Sequence, residues 1–331
     1  MGAGVGVRRR VGRDAGTFRR RSLNSVDKMT YAVYLGTLWA IYALSARGAS
    51  LVGHLSGVTA MCMPVAFATG AYTFAVLKVA LGVNASVAMV LAVLGGAISF
   101  IPLIAMSLRI AGDLLVIGTL AYQQIFYQLI RNIADLSKPL GSPDNLTNGT
   151  LGVAGTRLRI DFANIGSDLM LLIVVLVLLG LCELLHRSFV MRPFRIALLA
   201  VQDESHAANL LGIRVPIARL LTLGAAGSTL ALAGALYAGL QGYIGPEVAG
   251  IQMAFVFLAF GLIGRADGVF WVVLGPAVII IAPELLRLGN FTQSGLENFR
   301  VAIAGLFVVA FAATRSWQAS DITRMLRGAA H

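Results

Sequence analysis

The chain has 331 residues, 58% of them hydrophobic and only 12% charged, with a mean hydropathy of +0.82. Soluble domains carry about 25% charged residues, so the composition excludes an aqueous globule, which could not bury this many all-apolar helices in one core. The net charge of +11 is held largely at the two ends and marks topology rather than a nucleic-acid partner, because the basic tail lacks interleaved aromatics beyond Phe18.

Arg8, Arg9, Arg10, Arg13, Arg19, Arg20, Arg21 and Lys28 precede the first apolar segment, and Arg315, Arg324 and Arg327 follow the last. Basic flanks favour the cytoplasmic side, so both termini are expected there: a basic tail at 1–28, a membrane domain at 29–316 and a short tail at 317–331. An organelle transit peptide is the competing reading of an Arg-rich, acid-poor N-terminus. Between the tails lie apolar segments at 31–46, 51–79, 85–108, 113–131, 168–186, 216–240, 251–264, 268–287 and 300–315. Lipid leaves an open strand's backbone groups without partners, so the expected fold is all-α, a polytopic bundle of about eight to nine membrane segments. Charge parity places 187–215 inside and 132–167 outside. Parity fails at 51–79, which is too short for two crossings: either Gly53, Gly57 and Pro64 break it into a re-entrant half-helix and a tilted one that form a pathway element, or the topology departs there from the one that charge parity gives. In 216–240, Gly227, Ala231, Ala235 and Gly239 recur every four residues, a stripe that lets a second helix approach closely. Ser228 and Thr229 are expected to bond within their own helix.

Several chemistries are absent. No G-x-x-x-x-G-K-[ST] loop occurs, and His54, His186, His206 and His331 show no metal-ligand spacing. Cys62 and Cys182 read as small hydrophobes. No cofactor, metal or bond-breaking site is implied. Lys78, Asp113, Glu183, Glu284 and Arg287 read as sitting near segment ends. Ion-coupled carriers usually hold such groups within the membrane, so the pattern favours a translocation scaffold driven by another protein. Four Asn-x-Ser/Thr matches, at Asn84, Asn145, Asn148 and Asn290, are of the kind that arises by chance.

The stretch 195–213 is a polar island between two apolar segments. Ala197, Ala200, Val201, Ala207 and Ala208 supply helix propensity, Asp203, Glu204, Ser205 and His206 supply polarity, Gly212 is a helix stop and Pro216 opens the next span. A compact docking knob and an ordinary solvated loop are the two readings that the residues allow.

The island resembles the cytoplasmic coupling loop of the branched-chain amino-acid permeases of ABC importers, whose run reads approximately R-A-L-x-A-I-x-x-x-E-x-A-A-x-x-x-G-I. Ala197, Leu198, Ala200, Ala207, Ala208, Gly212 and Ile213 match; the acid before the Ala pair is Ser205 here. The likeness continues through Gly70-Ala-Tyr-Thr73, Leu108 to Leu120, Thr147 to Val153, Ala233-Gly-Ala-Leu-Tyr-Ala238, Tyr243-Ile-Gly-Pro-Glu247, Leu274-Gly-Pro276 and Pro283-Glu-Leu-Leu286. It is the shared order of these short motifs that is specific. The chain departs from the pattern at Ala60-Met-Cys-Met63, where the family carries S-L-G-H. It departs again at Gly261 to Asp267, where a charged pair replaces G-G-x-G-S, and the N-terminal region is short of one span.

The resemblance implies a non-enzymatic permease subunit of an ATP-driven importer in a bacterial inner membrane, for branched-chain or related small amino acids. Cytoplasmic ATPase subunits, a second homologous permease subunit and an external solute-binding protein are its implied partners. Ala200, Asp203, Glu204, Ala207, Ala208 and Gly212 are the candidate coupling residues. Gly57, Pro64, Thr119, Gln123 and Gln124 are the candidate solute path, with interhelical bonding the main competing role for the two glutamines. The alternative function is a stand-alone secondary transporter or channel for small polar solutes such as urea or amides.

Overall fold

The computed structural model describes residues 30–110, 112–133, 148–158, 166–189, 192–203, 205–263, 272–278 and 305. Helix α1 covers 30–50 and runs on without a gap into one π-helical turn, Leu51–Leu55. Then follow α2 (Met63–Val79), α3 (Ala85–Ser99), α4 (Ile101–Arg109) and α5 (Asp113–Asn132). After a 3-10 turn at Gly149–Leu151 and strand β1 (Val153–Ala154) come α6 (Ser167–Phe189), α7 (Arg192–Asp203), α8 (Ser205–Leu210) and α9 (Val215–Gln241). Strand β2 (Tyr243–Ile244), a 3-10 turn at Pro246–Ala249, α10 (Ile251–Ile263) and α11 (272–278) complete the described elements.

The expected helical membrane fold is present, with one small addition. Strands β1 and β2 pair antiparallel, Val153 with Ile244 and Ala154 with Tyr243. Gly152 makes the pairing possible: its φ is +69°, and a Cβ there would overlap the Ile244 carbonyl. Among the described residues three helices are long and apolar enough to cross a bilayer, Ala85–Arg109, Ser167–Arg187 and Val215–Gln241. Met63–Val79 and Ile251–Gly261 are shorter apolar helices. Of the expected segment at 268–287 the described part is 272–278, and of 300–315 it is residue 305.

Helix α9 is the central pillar. The small-residue stripe read from the sequence does what its spacing implies. Gly227 backs onto Gly96 of α3, and Ala231 is wedged between Gly70 of α2 and Gly96, where a Cβ on either glycine would overlap it. Gly234 packs on the Phe67 backbone in the same way. An aromatic cluster of Tyr42, Phe67, Tyr237, Phe257 and Phe260 closes the core, with ring centres 5.2–6.2 Å apart.

Two expectations are corrected. Arg47 to Ser50, read as a gap between segments, lie inside a continuous helix, and α1 with its π turn is roughly 38 Å long at 1.5 Å per residue. The direction of 31–46 is also reversed relative to the island. Tyr34 donates to Gln241 Oε1 over 2.7 Å, Gly48 packs on Leu230, and Leu55 lines a cavity with Leu198 and Thr222. Helix α1 therefore runs antiparallel to α9 and starts at the end of the bundle opposite the island. A chain entering α1 from the island's side, as the basic flank implied, is at odds with this packing; residues 1–29 themselves lie outside the described set.

The same packing resolves 51–79. The chain turns at Gly57, whose φ is +65°. Helix α2 restarts with Pro64 in its first turn and runs back toward the starting end. There Lys78 Nζ donates to the carbonyls of Thr156, at 3.0 Å, and Arg157, at 2.6 Å. The predicted break is real, but it joins one inbound and one outbound helix. A second break divides the segment at 85–108: Pro102 in the first turn of α4 interrupts the helix after Phe100, the usual effect of proline on the backbone ladder.

Candidate solute path and coupling end

Thr119 and Gln123, one helical turn apart on α5, are both fully buried, and each holds an irregular stretch of backbone. Met61 N–H, in the break before α2, donates to Thr119 Oγ1 over 3.0 Å. Gln123 Nε2 donates to the Ala249 carbonyl at the end of the 3-10 turn before α10. Backbone that is not helical survives at membrane depth only when its polar groups find partners, and α5 supplies them. The structure thus brings together Thr119, Gln123 and the break that contains Gly57 and Pro64. Gly57 is exposed, Pro64 is buried, and Gln124 faces outward, away from this contact.

At the opposite end the described residues of the island are helical, α7 up to Asp203 and α8 from Ser205. Helix α7 begins at Arg192, before the island's first residue, and Asp203 is its last residue; Glu204 lies outside the described residues. Helix α8 closes in a Schellman arrangement. Ile213 N–H bonds the Ala208 carbonyl and Gly212 N–H the Asn209 carbonyl, each at 3.1 Å, with Gly212 at φ +82°. The predicted glycine stop is therefore present and rests on a positive φ, which costs glycine nothing. Leu198, Val201 and Ala208 are buried against the bundle. Ala207 and Gly212 are exposed and Ala200 is half-buried. Ala208 therefore seats the island, while Ala207 faces away from it.

Sequence reasoning missed two features. Leu210 and Leu211 are 90% and 78% exposed at the tip of α8, a bare apolar corner beside a buried anchor. Exposure of this kind cannot be read from composition alone. The second is an ion pair: Arg47 of α1, with its side chain 2% exposed, meets Glu183 of α6, and Arg187 lies 3.6 Å from the same carboxylate. In the sequence Glu183 reads as an end marker, and Arg47 carries no signal of a partner. They join α1 to α6, and Arg47 lines a cavity of about 370 Å³ with Leu55, His186, Leu198 and Thr229. Thr229 Oγ1 donates to Ala225 O within its own helix, as expected. A second cavity of about 610 Å³ lies between α3 and α6 and is almost wholly apolar, with Met89, Val174, Leu178 and Leu236 in its walls. Such linings suit hydrocarbon better than a polar solute.

The order of motifs from Gly70 to Pro276 on this scaffold agrees with a family match. Residues 31–314 match the model of the branched-chain amino acid transport system / permease component family. The chain belongs to that family. Two relatives carry the name high-affinity branched-chain amino acid transport system permease protein LivM. The one from Salmonella typhimurium is 26% identical over 292 residues, covering 84% of this chain and 67% of its own length. The one from Escherichia coli K12 is 25% identical over 294 residues with the same coverage. No solved structure matches the chain. As a member of this permease family it is a multi-pass transmembrane transport protein.

Proposed function

We propose that this permease is the transmembrane subunit of an ATP-driven importer for branched-chain or related small amino acids, catalysing no bond-breaking of its own. The observation that carries the proposal is the α7–α8 corner, an amphipathic pair set between two membrane helices, with Leu198, Val201 and Ala208 as its anchor and Leu210 and Leu211 bare at its tip. A groove on a cytoplasmic ATPase would receive that tip. Movement of α7 would pass to α1 and α6 through Leu198 and the Arg47–Glu183 pair. A second homologous permease subunit would complete the path, and an external binding protein would deliver solute at the end that carries Tyr34, Lys78, Arg157 and Gln241. With the corner cytoplasmic, the helix directions alternate without a parity failure, and residue 30 falls at the external end.

One observation favours the alternative of a self-powered carrier: Arg47 and Glu183 are ionisable groups within the membrane domain, where such carriers keep theirs. The two readings separate in proteoliposomes. The importer takes up a branched-chain amino acid only with ATPase subunits, ATP and binding protein present. Uptake by the permease alone, driven by an ion gradient, contradicts the proposal.

A further inference from the structure

The segment 243–250, which holds β2 and the 3-10 turn after it, packs against α2 and α5, and two buried side-chain oxygens beside it have no hydrogen-bond partner. Tyr72 of α2 is 7% exposed, and its hydroxyl has no hydrogen-bond partner. The Tyr72 hydroxyl lies within electrostatic reach of Glu247 and Tyr243. Gln123 of α5 is fully buried; its Nε2 is spent on the Ala249 carbonyl, and its Oε1 has no partner. Glu247 is exposed, and its carboxylate converges with the Tyr243 hydroxyl over Gly245, where a Cβ would meet both.

Buried polar groups are nearly always paired, and leaving one unpaired costs about 1–3 kcal/mol. Two such groups against one turn mark a place where a partner arrives from outside. The chemistry of the groups defines that partner. Gln123 Oε1 can only accept a hydrogen bond. The Tyr72 hydroxyl can accept as well as donate. Glu247 is the one charged side chain in 243–250, and it is negative. One ligand group that can donate to all three and offset the Glu247 charge is a primary ammonium, with three N–H donors and a positive charge.

Resting on the amino-acid reading of the proposed function, we infer that Glu247, Tyr72 and Gln123 form the subsite that binds the ammonium end of the solute. A free carboxylate is repelled by Glu247, so the solute's acid end points away from the 243–250 turn. The subsite thereby sets orientation as well as selecting amines over acids.

The test is competition against radiolabelled leucine on the full chain with its co-purified subunits in nanodiscs. The competitors are isoamylamine, which is leucine without its carboxylate, and isocaproate, which lacks the ammonium. Isoamylamine is expected to compete and isocaproate to fail. Glu247→Gln and Tyr72→Phe are each expected to weaken leucine by about tenfold or more, the size of a lost hydrogen bond to a charged group. Glu247→Gln should also let isocaproate compete, a gain that a merely unfolded variant cannot produce. Tyr122→Phe serves as the control, since it removes a hydroxyl that bonds Ser99 O over 2.8 Å, and it should change neither ligand. Leucine binding that persists unchanged in both subsite variants, or equal competition by isocaproate in the unaltered protein, overturns the subsite and leaves the transport function standing. Binding of urea or amides with no response to either amine overturns both.

Discussion

Helices α9 and α6 are both long, both apolar and antiparallel to each other, yet they sit in different surroundings. In its most hydrophobic window α9 is 56% buried within the chain, whereas α6 is 17% buried. The pillar reaches its burial through glycine and alanine, which bring backbones into contact. Helix α6 presents Ile173, Leu176, Val177, Leu181 and Leu184 outward, leaves apolar cavities at its back and is tied to α1 by one ion pair. High hydropathy therefore says only that a helix is in the membrane; the size of its side chains says whether its neighbours are protein or something else. The rigid half is built around α9, and the half that leads to α7 is built to be held at a few points.

That contrast can be broken most severely at Gly70. Gly70→Val should abolish a monodisperse, foldable protein, because a side chain there overlaps the Ala231 backbone and neither helix can retreat. Overpacking costs about 1–3 kcal/mol even where a core can adjust. The matching change on α6, Gly180→Ala, has nothing within 4 Å of the new methyl and should be neutral or stabilise by about 0.5–1 kcal/mol. Size-exclusion profiles and detergent melting curves compare the two.

A smaller loss is expected at the tie. Glu183→Leu leaves Arg47 buried without its carboxylate, and removing one partner of a buried pair costs about 3–5 kcal/mol. Replacing both, Arg47→Met with Glu183→Leu, should recover most of that loss in thermal melting. Recovery of stability without recovery of uptake would show that the tie serves motion. Smaller still is Thr119→Val, which strands the Met61 N–H and should cost about 1–3 kcal/mol.

At the island the two alanines of one motif should separate. Ala208→Glu puts a charge into the 1% exposed seat of α8 and should lower the melting temperature. Ala207→Glu, on the open face, should leave melting unchanged and act on transport alone.

The glycine stripe, the break at Gly57 and the stop at Gly212 were legible in the sequence because each is local: spacing and backbone freedom are properties of a few neighbouring residues. Arg47 was not, because a charge in an apolar run reads as an end unless its partner is known, and Glu183 is on a distant helix. The direction of α1 was misread for a related reason. The basic residues before it carry a topological signal, but it takes the contacts of Tyr34 with Gln241, Gly48 with Leu230 and Leu55 with Thr222 to show which end of the bundle α1 enters. Thr119 and Gln123 were legible as polar residues in an apolar helix; that each holds a specific stretch of backbone required the fold.

The most direct test of the account is ATP-dependent uptake of leucine by proteoliposomes that contain the complete complex with Leu210→Asp and Leu211→Asp in this subunit. Exposed substitutions of this kind change stability by no more than about 0.5 kcal/mol, so the variant should insert and melt like the unaltered chain. The account predicts that its uptake falls at least about tenfold as the ATPase loses its grip on the α8 tip. Uptake equal to that of the unaltered complex would contradict it.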